Sequence, residues 1–387
     1  MKHSGTFGTI LFLAVGCGGG KMPATAIADM TEAPIDMAPA VTAIPLEGCS
    51  PFYTAAVTLG GTQIVQLAID TGSTTTVAAA VGCTSCKSDG APDLYDPSKA
   101  TNLSVSSKGV YDSGEISWMG SVFQDSVQVG TDPVSVPLNL AAIASEKNFF
   151  FDTCETDPPN ISDGILGLGT DDLLAKGTSS YLDQRGTVGQ SDLFAVRLCH
   201  RGGTLWMGGY DPSATTGPMR YTPITLRQGY NVTLAGFAVG ETQIPLATQV
   251  AAVVDTGGPS IILPSAGFDA IVAAVVAQPA FSQNFGNASW FKTALPKTLP
   301  IAPSEFDNML PPLTFQLGSD ASLSVSLPAS VSYLAWTLNS EGVYDYLPGI
   351  FTATAGFDMG NALMRANVVV FDRANRQLGI APATSCP

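Results

Sequence analysis

The sequence predicts an all-β protein built as two similar lobes. Hydrophobic residues make up 45% of the 387 positions and charged residues only 13%, which suits a packed, low-charge body with length for two cores. The 40 Gly and 27 Pro punctuate short stretches rich in β-branched and aromatic residues. One construction then occurs twice: "LAIDTGSTTTVAAA" at 67–80 and "AAVVDTGGPSIILP" at 251–264. Each copy sends an apolar strand into a carboxylate, a threonine and a glycine, and the two lie about half a folded body apart.

The strands follow in order from Cys49 onward: "FYTAAVTLG" (52–60), "QIVQLAID" (63–70), "SVFQDSVQVG" (121–130), "AVRLC" (195–199), "TLWMGG" (204–209), "NVTLAGFAVG" (231–240) and "LTFQLG" (313–318). Most end at glycine, as short strands joined by turns do. Helical spacing is confined to about 171–184 and 265–278. No other segment repeats strongly, which excludes a solenoid.

The N-terminus reads as an export signal. Lys2 and His3 precede an apolar run from Phe7 to Val15, too short to span a bilayer as a mature helix. The run ends in "LAVGC", which resembles a bacterial lipoprotein box with Cys17 as the lipidated residue, although Ala14 stands where a larger aliphatic is usual. Residues 1–17 are thus expected to be a lipoprotein-type signal. Residues 18–45, rich in Gly, Ala, Pro, Thr and Met, are expected to be a flexible tether. The lobes then occupy 46–215 and 216–387. The product is expected outside the cytoplasm, at an outer membrane or cell surface, or otherwise periplasmic or secreted.

Seven cysteines agree with export: setting Cys17 aside leaves Cys49, Cys83, Cys86, Cys154, Cys199 and Cys386, an even set. Sequence alone leaves fifteen connectivities open. "CTSC" at 83–86 also fits a redox or zinc pair, but no second metal-spaced pair accompanies it. The formal net charge of −15 makes nucleic acid a poor partner. It suits solubility, and also tolerance of acid, where carboxylates protonate and few basic groups repel one another.

What does each D-T-G segment demand? A strand carries Asp into a low-dielectric interior, where an isolated charge is costly. The threonine and glycine form a tight loop whose N–H groups and hydroxyl can approach the carboxylate. Two such sites facing one another share a proton, because adjacent carboxylates do not both ionise cheaply. One then accepts a proton from water and the other protonates a carbonyl, which is amide hydrolysis without a covalent intermediate. Other chemistries lack their parts. A Ser-His-Asp triad needs a histidine, and beyond the signal the chain has only His200, which reads as packing beside a cysteine. There is no H-E-x-x-H zinc motif, and "GILGLG" has no βαβ context for a nucleotide.

From Tyr53 to Cys386 the chain resembles the pepsin-like aspartic proteases. "FYTAAVTLGGTQIVQLAIDTGS" is similar to the strand pair entering that family's first catalytic loop, and "DLYDPSKATNLSV" (93–105) to the segment before its flap. "YDSGEISWMG" (111–120) resembles the flap. "DGILGLG" (163–169), "GGTLWMGGYDPSATTGPMRYTPI" (202–224), "LPPLTFQLG" (310–318) and "VVVFDRANRQLGIAP" (368–382) match further signatures. The resemblance implies a bilobal pepsin-like fold with the substrate cleft between the lobes. It implies Asp70 and Asp255 as the catalytic dyad, with Thr71, Gly72, Ser73, Thr256 and Gly257 supporting the two loops. Tyr111, Ser113 and Gly114 are then flap residues against a peptide or protein substrate. The protein is expected to act as a monomer with no cofactor and no metal, touching a membrane only through its anchor. Implied disulfides are Cys83–Cys86 and, as in the β-secretase branch, Cys199–Cys386, with Cys49–Cys154 left by elimination.

Three positions depart from the family pattern. Gly258 stands where a Thr or Ser hydroxyl usually supports the second Asp, so the pKa of Asp255 is expected to rise. Val77 replaces a tryptophan that supports the flap tyrosine, so Tyr111 is expected to be less firmly held. Asn361 replaces a common Asp, removing a carboxylate near the cleft. A catalytically silent binding or inhibitory module on this fold is the alternative reading. With Lys21 as the only basic residue of the 18–45 stretch, an acid-triggered prosegment is not expected.

Overall fold

Strand Gln63–Asp70 lies in the middle of a 13-stranded sheet, with Val65, Leu67, Ala68 and Ile69 buried. The computed structural model describes residues 41–50, 52–88, 93–111, 114–150, 162–170, 173–226, 228–293, 295–353 and 356–386. Strand Thr42–Cys49 begins inside the stretch read as a tether, whose residues 18–40 lie outside the described residues, as does Cys17.

Alternation places one face of each strand in the core. In Phe52–Leu59 the residues Tyr53, Ala55, Val57 and Leu59 are buried. It pairs antiparallel with Gln63–Asp70 through a two-glycine turn at Gly60 and Gly61, both with positive φ. The large sheet crosses from one half of the chain to the other. Strands Asn367–Asp372 and Gln377–Pro382 form a hairpin, and the first of them pairs with Leu193–Leu198. Phe194 and Phe371 stack across that pairing with centroids 4.6 Å apart. Arg373 adds charge-assisted bonds to Asp192, at 2.6 Å, and Asp183, at 2.7 Å.

The second half contributes the sheet of Asn231–Val239, Thr242–Val253, Leu313–Leu317 and Leu323–Leu327, whose buried residues join one core with those of the first half. Helix Ser265–Val276 packs Phe268, Ile271, Val272 and Val275 inward, on the stretch whose spacing predicts a helix over 265–278. Of the 171–184 expectation, the helix starts only at Tyr181 and runs to Thr187; Ser180 caps it, its Oγ accepting from the Asp183 amide. Among the described residues no single helix is long and apolar enough to cross a membrane.

Two disulfides are present among the described residues. Cys83–Cys86 closes the small helix Thr84–Ser88. Cys199–Cys386 fastens the C-terminus to the end of Leu193–Leu198, across 187 residues of sequence. Cys49 is buried and disulfide-bonded; Cys154, its expected partner, lies outside the described residues.

Candidate active site

Strand Gln63–Asp70 delivers Asp70 at its last position, where Asp70 pairs with Gly167 of the parallel strand Gly164–Gly167. A Cβ on Gly167 would lie 2.4 Å or so from the Thr74 backbone, so glycine there lets the loop after Asp70 fold back against the strand. In the other half, Thr242–Val253 leads to Asp255, and the chain returns as Ile261–Pro264. Asp70 ends its strand and Asp255 stands two residues beyond Val253, and both are partly exposed.

The two loops are tied by their threonines. Thr71 Oγ1 accepts from the Thr256 amide at 2.9 Å and donates to the Val254 carbonyl at 3.0 Å. Thr256 Oγ1 accepts from the Thr71 amide at 2.9 Å and donates to the Ile69 carbonyl at 2.9 Å. Both side chains are buried, so each hydroxyl uses its donor and an acceptor inside the protein. This lattice brings the carboxyls together. The Gly72 amide donates to Asp70 Oδ1 at 2.8 Å and to Asp255 Oδ1 at 3.0 Å, while the Gly257 amide donates to Asp255 Oδ1 at 2.8 Å. Any Cβ at 72 would fall 2.5 Å from Asp255 Oδ2, and any Cβ at 257 would fall 2.6 Å from Asp70 Oδ1. Only glycine admits the approach.

Support beyond the glycines is unequal. Ser73 Oγ donates to Asp70 Oδ2 at 2.6 Å, and no side chain at 258 does the same for Asp255. Burial, then the Asp70 carboxylate, then the Asp358 carboxylate push the pKa of Asp255 well above the usual range; the Gly257 amide pulls the other way. A pair of this kind holds one proton across a wide pH range and can act as base and acid at once.

Over this pair stands the hairpin of Thr101–Tyr111 and Ile116–Val129, whose last paired residues are Tyr111 and Ile116. Burial and the nearby Asp70 raise the pKa of Tyr111, and its hydroxyl interacts with Ser73. Gly114, at the tip, has φ +99, a conformation that favours glycine. Ser113 lies outside the described residues. The expectation that Val77 leaves Tyr111 loosely held is overturned. Trp118 Nε1 donates to Tyr111 Oη at 3.3 Å from across the hairpin, and the indole is buried. Gly109 sits directly opposite Trp118, and a Cβ there would collide with the indole nitrogen. Val77 is buried beneath, in a cluster with Trp118, Phe149 and Phe150. The sequence carried this tryptophan inside "YDSGEISWMG"; only the cross-strand register connects it to Tyr111.

A carboxyl stands near Asn361 all the same. Asn361 is buried and its backbone N–H donates to the Gly258 carbonyl at 2.9 Å. Three residues earlier, Asp358 presents Oδ2 to Gly258: a Cβ at 258 would lie 2.7 Å from it. Burial pushes the Asp358 pKa up to about 7, with the Asp70 charge adding to the rise.

Comparison with known proteins bears on this arrangement. The eukaryotic aspartyl protease family matches residues 52–383, from the first strand pair through the last hairpin. The chain belongs to that family. It is 25% identical to pepsin A of Gallus gallus over 83% of this chain and 81% of that protein. Identity to cathepsin E of Rattus norvegicus is 28%, over 86% of this chain and 80% of that protein. A β-secretase of Strongylocentrotus purpuratus is 27% identical over 84% of this chain and 65% of its own length. For an aspartyl protease family member, both D-T-G loops and a tyrosine-bearing hairpin lie within the matched range. Among the described residues, no cluster of His, Cys, Asp and Glu is arranged to hold a metal ion.

Proposed function

We propose that the protein is an aspartic endopeptidase that hydrolyses peptide bonds with water activated between Asp70 and Asp255. The observation that carries this reading is the shared Gly72 amide, which binds both carboxyls within one loop lattice. In the singly protonated pair, the ionised carboxyl takes a proton from water as its oxygen adds to the substrate carbonyl. The protonated carboxyl gives its proton to the carbonyl oxygen, forming a neutral gem-diol. The carboxyl that took the water proton then gives it to the amide nitrogen while the other carboxylate takes a proton from a gem-diol hydroxyl; the C–N bond breaks, giving acid and amine and restoring the singly protonated pair. Thr71 and Thr256 keep the carboxyls in register, and Tyr111 closes over an extended peptide in the cleft.

Disulfides suit an oxidising compartment. We infer export, with Cys17 as the point of lipid attachment. The test of function is hydrolysis of a peptide library at about pH 3–5, where a shared-proton pair works, with and without a hydroxyl-containing peptide that mimics the gem-diol. Cleavage abolished by the inhibitor supports the reading. Inhibitor binding by folded protein without any cleavage supports instead a silent peptide-binding module, the reading that a missing hydroxyl at Gly258 would favour.

A further inference from the structure

The two halves of the molecule superpose a pair of positions that differ in chemistry. In the first half, Ile165 pairs with Ala68 in parallel and with Val77 antiparallel. In the second, Asp358 pairs with Val253 in parallel and with Ile262 antiparallel. Ala68 and Val253 each stand two residues before the D-T-G aspartate, and Val77 and Ile262 each stand seven after it. Asp358 is therefore the counterpart of Ile165. By the same counting, Gly258 is the counterpart of Ser73. One half holds a hydroxyl beside an isoleucine, and the other holds a bare glycine beside a carboxyl.

The exchange is coupled by space. Asp358 Oδ1 accepts from the Gly360 amide at 2.7 Å, which fixes the carboxyl and leaves Oδ2 facing Gly258. Room for that oxygen exists because position 258 has no side chain. We propose that Asp358 is a third carboxyl of the active site, a positioning residue that gives Asp255 the support Ser73 gives Asp70. This rests on the proteolytic reading above.

The charged groups around Asp358 are few. The D-T-G loops contribute Asp255 and Asp70, both of like charge. The strands Thr242–Val253, Ile261–Pro264 and Ile350–Ala353 carry no charged residue at its contacts. Arg365, on helix Ala362–Ala366, acts on Tyr53 and His200. With burial and the negative charge of the pair beside it, Asp358 keeps its proton in acid and is then a hydrogen-bond donor. As it ionises toward neutrality it becomes a second negative charge beside the singly charged pair, which raises the pH at which the pair gives up its working proton. A Ser hydroxyl would support Asp255 without that second effect, because it does not titrate.

Three variants separate these roles. Asp358→Asn removes the charge, and the alkaline limb of kcat/KM should move about one pH unit toward acid. Asp358→Ile removes charge and donor, and kcat should fall about tenfold in addition. The swap Gly258→Ser with Asp358→Ile installs the pair of the first half; kcat should recover while the limb stays shifted. An unmoved limb in Asp358→Asn, or a swap no better than Asp358→Ile with all variants folded, overturns the proposal. A readout independent of activity is carboxyl titration by 13C NMR of Asp-labelled protein. The resonance lost in Asp358→Asn should titrate near neutrality, and one titrating near 4 overturns the proposal even if the wild type cleaves nothing.

Discussion

The Gly72 amide lies between two carboxyls, 2.8 Å from Asp70 Oδ1 and 3.0 Å from Asp255 Oδ1. One donor shared by two acids that are far apart in sequence requires the loops to meet to within a few tenths of an ångström. The buried threonine lattice supplies that register.

Thr256→Val should therefore unsettle the fold as well as the site. It strands the Thr71 amide and the Ile69 carbonyl, both buried, without partners. A loss of about 2–4 kcal/mol is expected from two unsatisfied buried groups. Chemical denaturation reads it directly, and a loss below 1 kcal/mol or so would show that the lattice relaxes cheaply.

The hairpin that carries Tyr111 is held by a contact between its strands. Trp118→Phe removes the donor to Tyr111, and Gly109→Ala displaces the indole altogether. Both should lower kcat/KM by about 10- to 100-fold with little loss of melting temperature for Trp118→Phe, since the aromatic packing survives. Tyr111→Phe in combination with Trp118→Phe should add little, because the two side chains form one unit.

Stability should be greatest in acid. Asp163 is fully buried, accepting from the amides of Gln66 at 2.7 Å and Asp93 at 2.9 Å, and burial pushes its pKa up to about 6. Asp358 and Asp255 are raised as well. A carboxyl with a raised folded pKa binds its proton more tightly than in the unfolded chain, so stability falls as pH rises from about 4 toward 7. His200, stacked on Trp336, opposes this: burial, Arg365 and Arg201 draw its pKa down to about 4, so its contribution is lost as pH falls below 6.5. Burial raises Asp192 too, and four carboxyls against one imidazole place the higher melting temperature at about pH 4–5 rather than at pH 7. Calorimetry across that range checks the sign, and Asp163→Asn should flatten the slope.

Much of this was legible in the residues. The D-T-G repeats announced two loops with matching strand pairings, and strand punctuation announced the sheets. What escaped were relations across strands. Trp118 reaches Tyr111 only because Gly109 opposes it in register, and sequence spacing along one strand does not reveal that. Asp358 escaped because Asn361 drew attention to the position where the family has its acid. The segments "GILG" and "FDMG" are counterparts, but their likeness is a single glycine. Residue by residue, the pairing with Ala68 and Val77 on one side and Val253 and Ile262 on the other exposes it.

The central claim is that Asp70 and Asp255 act together on one water. Its most direct test is cleavage of a susceptible peptide by wild type, Asp70→Asn and Asp255→Asn, each shown to be folded by its circular dichroism. Each variant should lose at least about a thousandfold in kcat, because the two carboxyls work as a unit. Inhibitor-sensitive cleavage that persists in either variant at more than about a tenth of the wild-type rate would contradict the account.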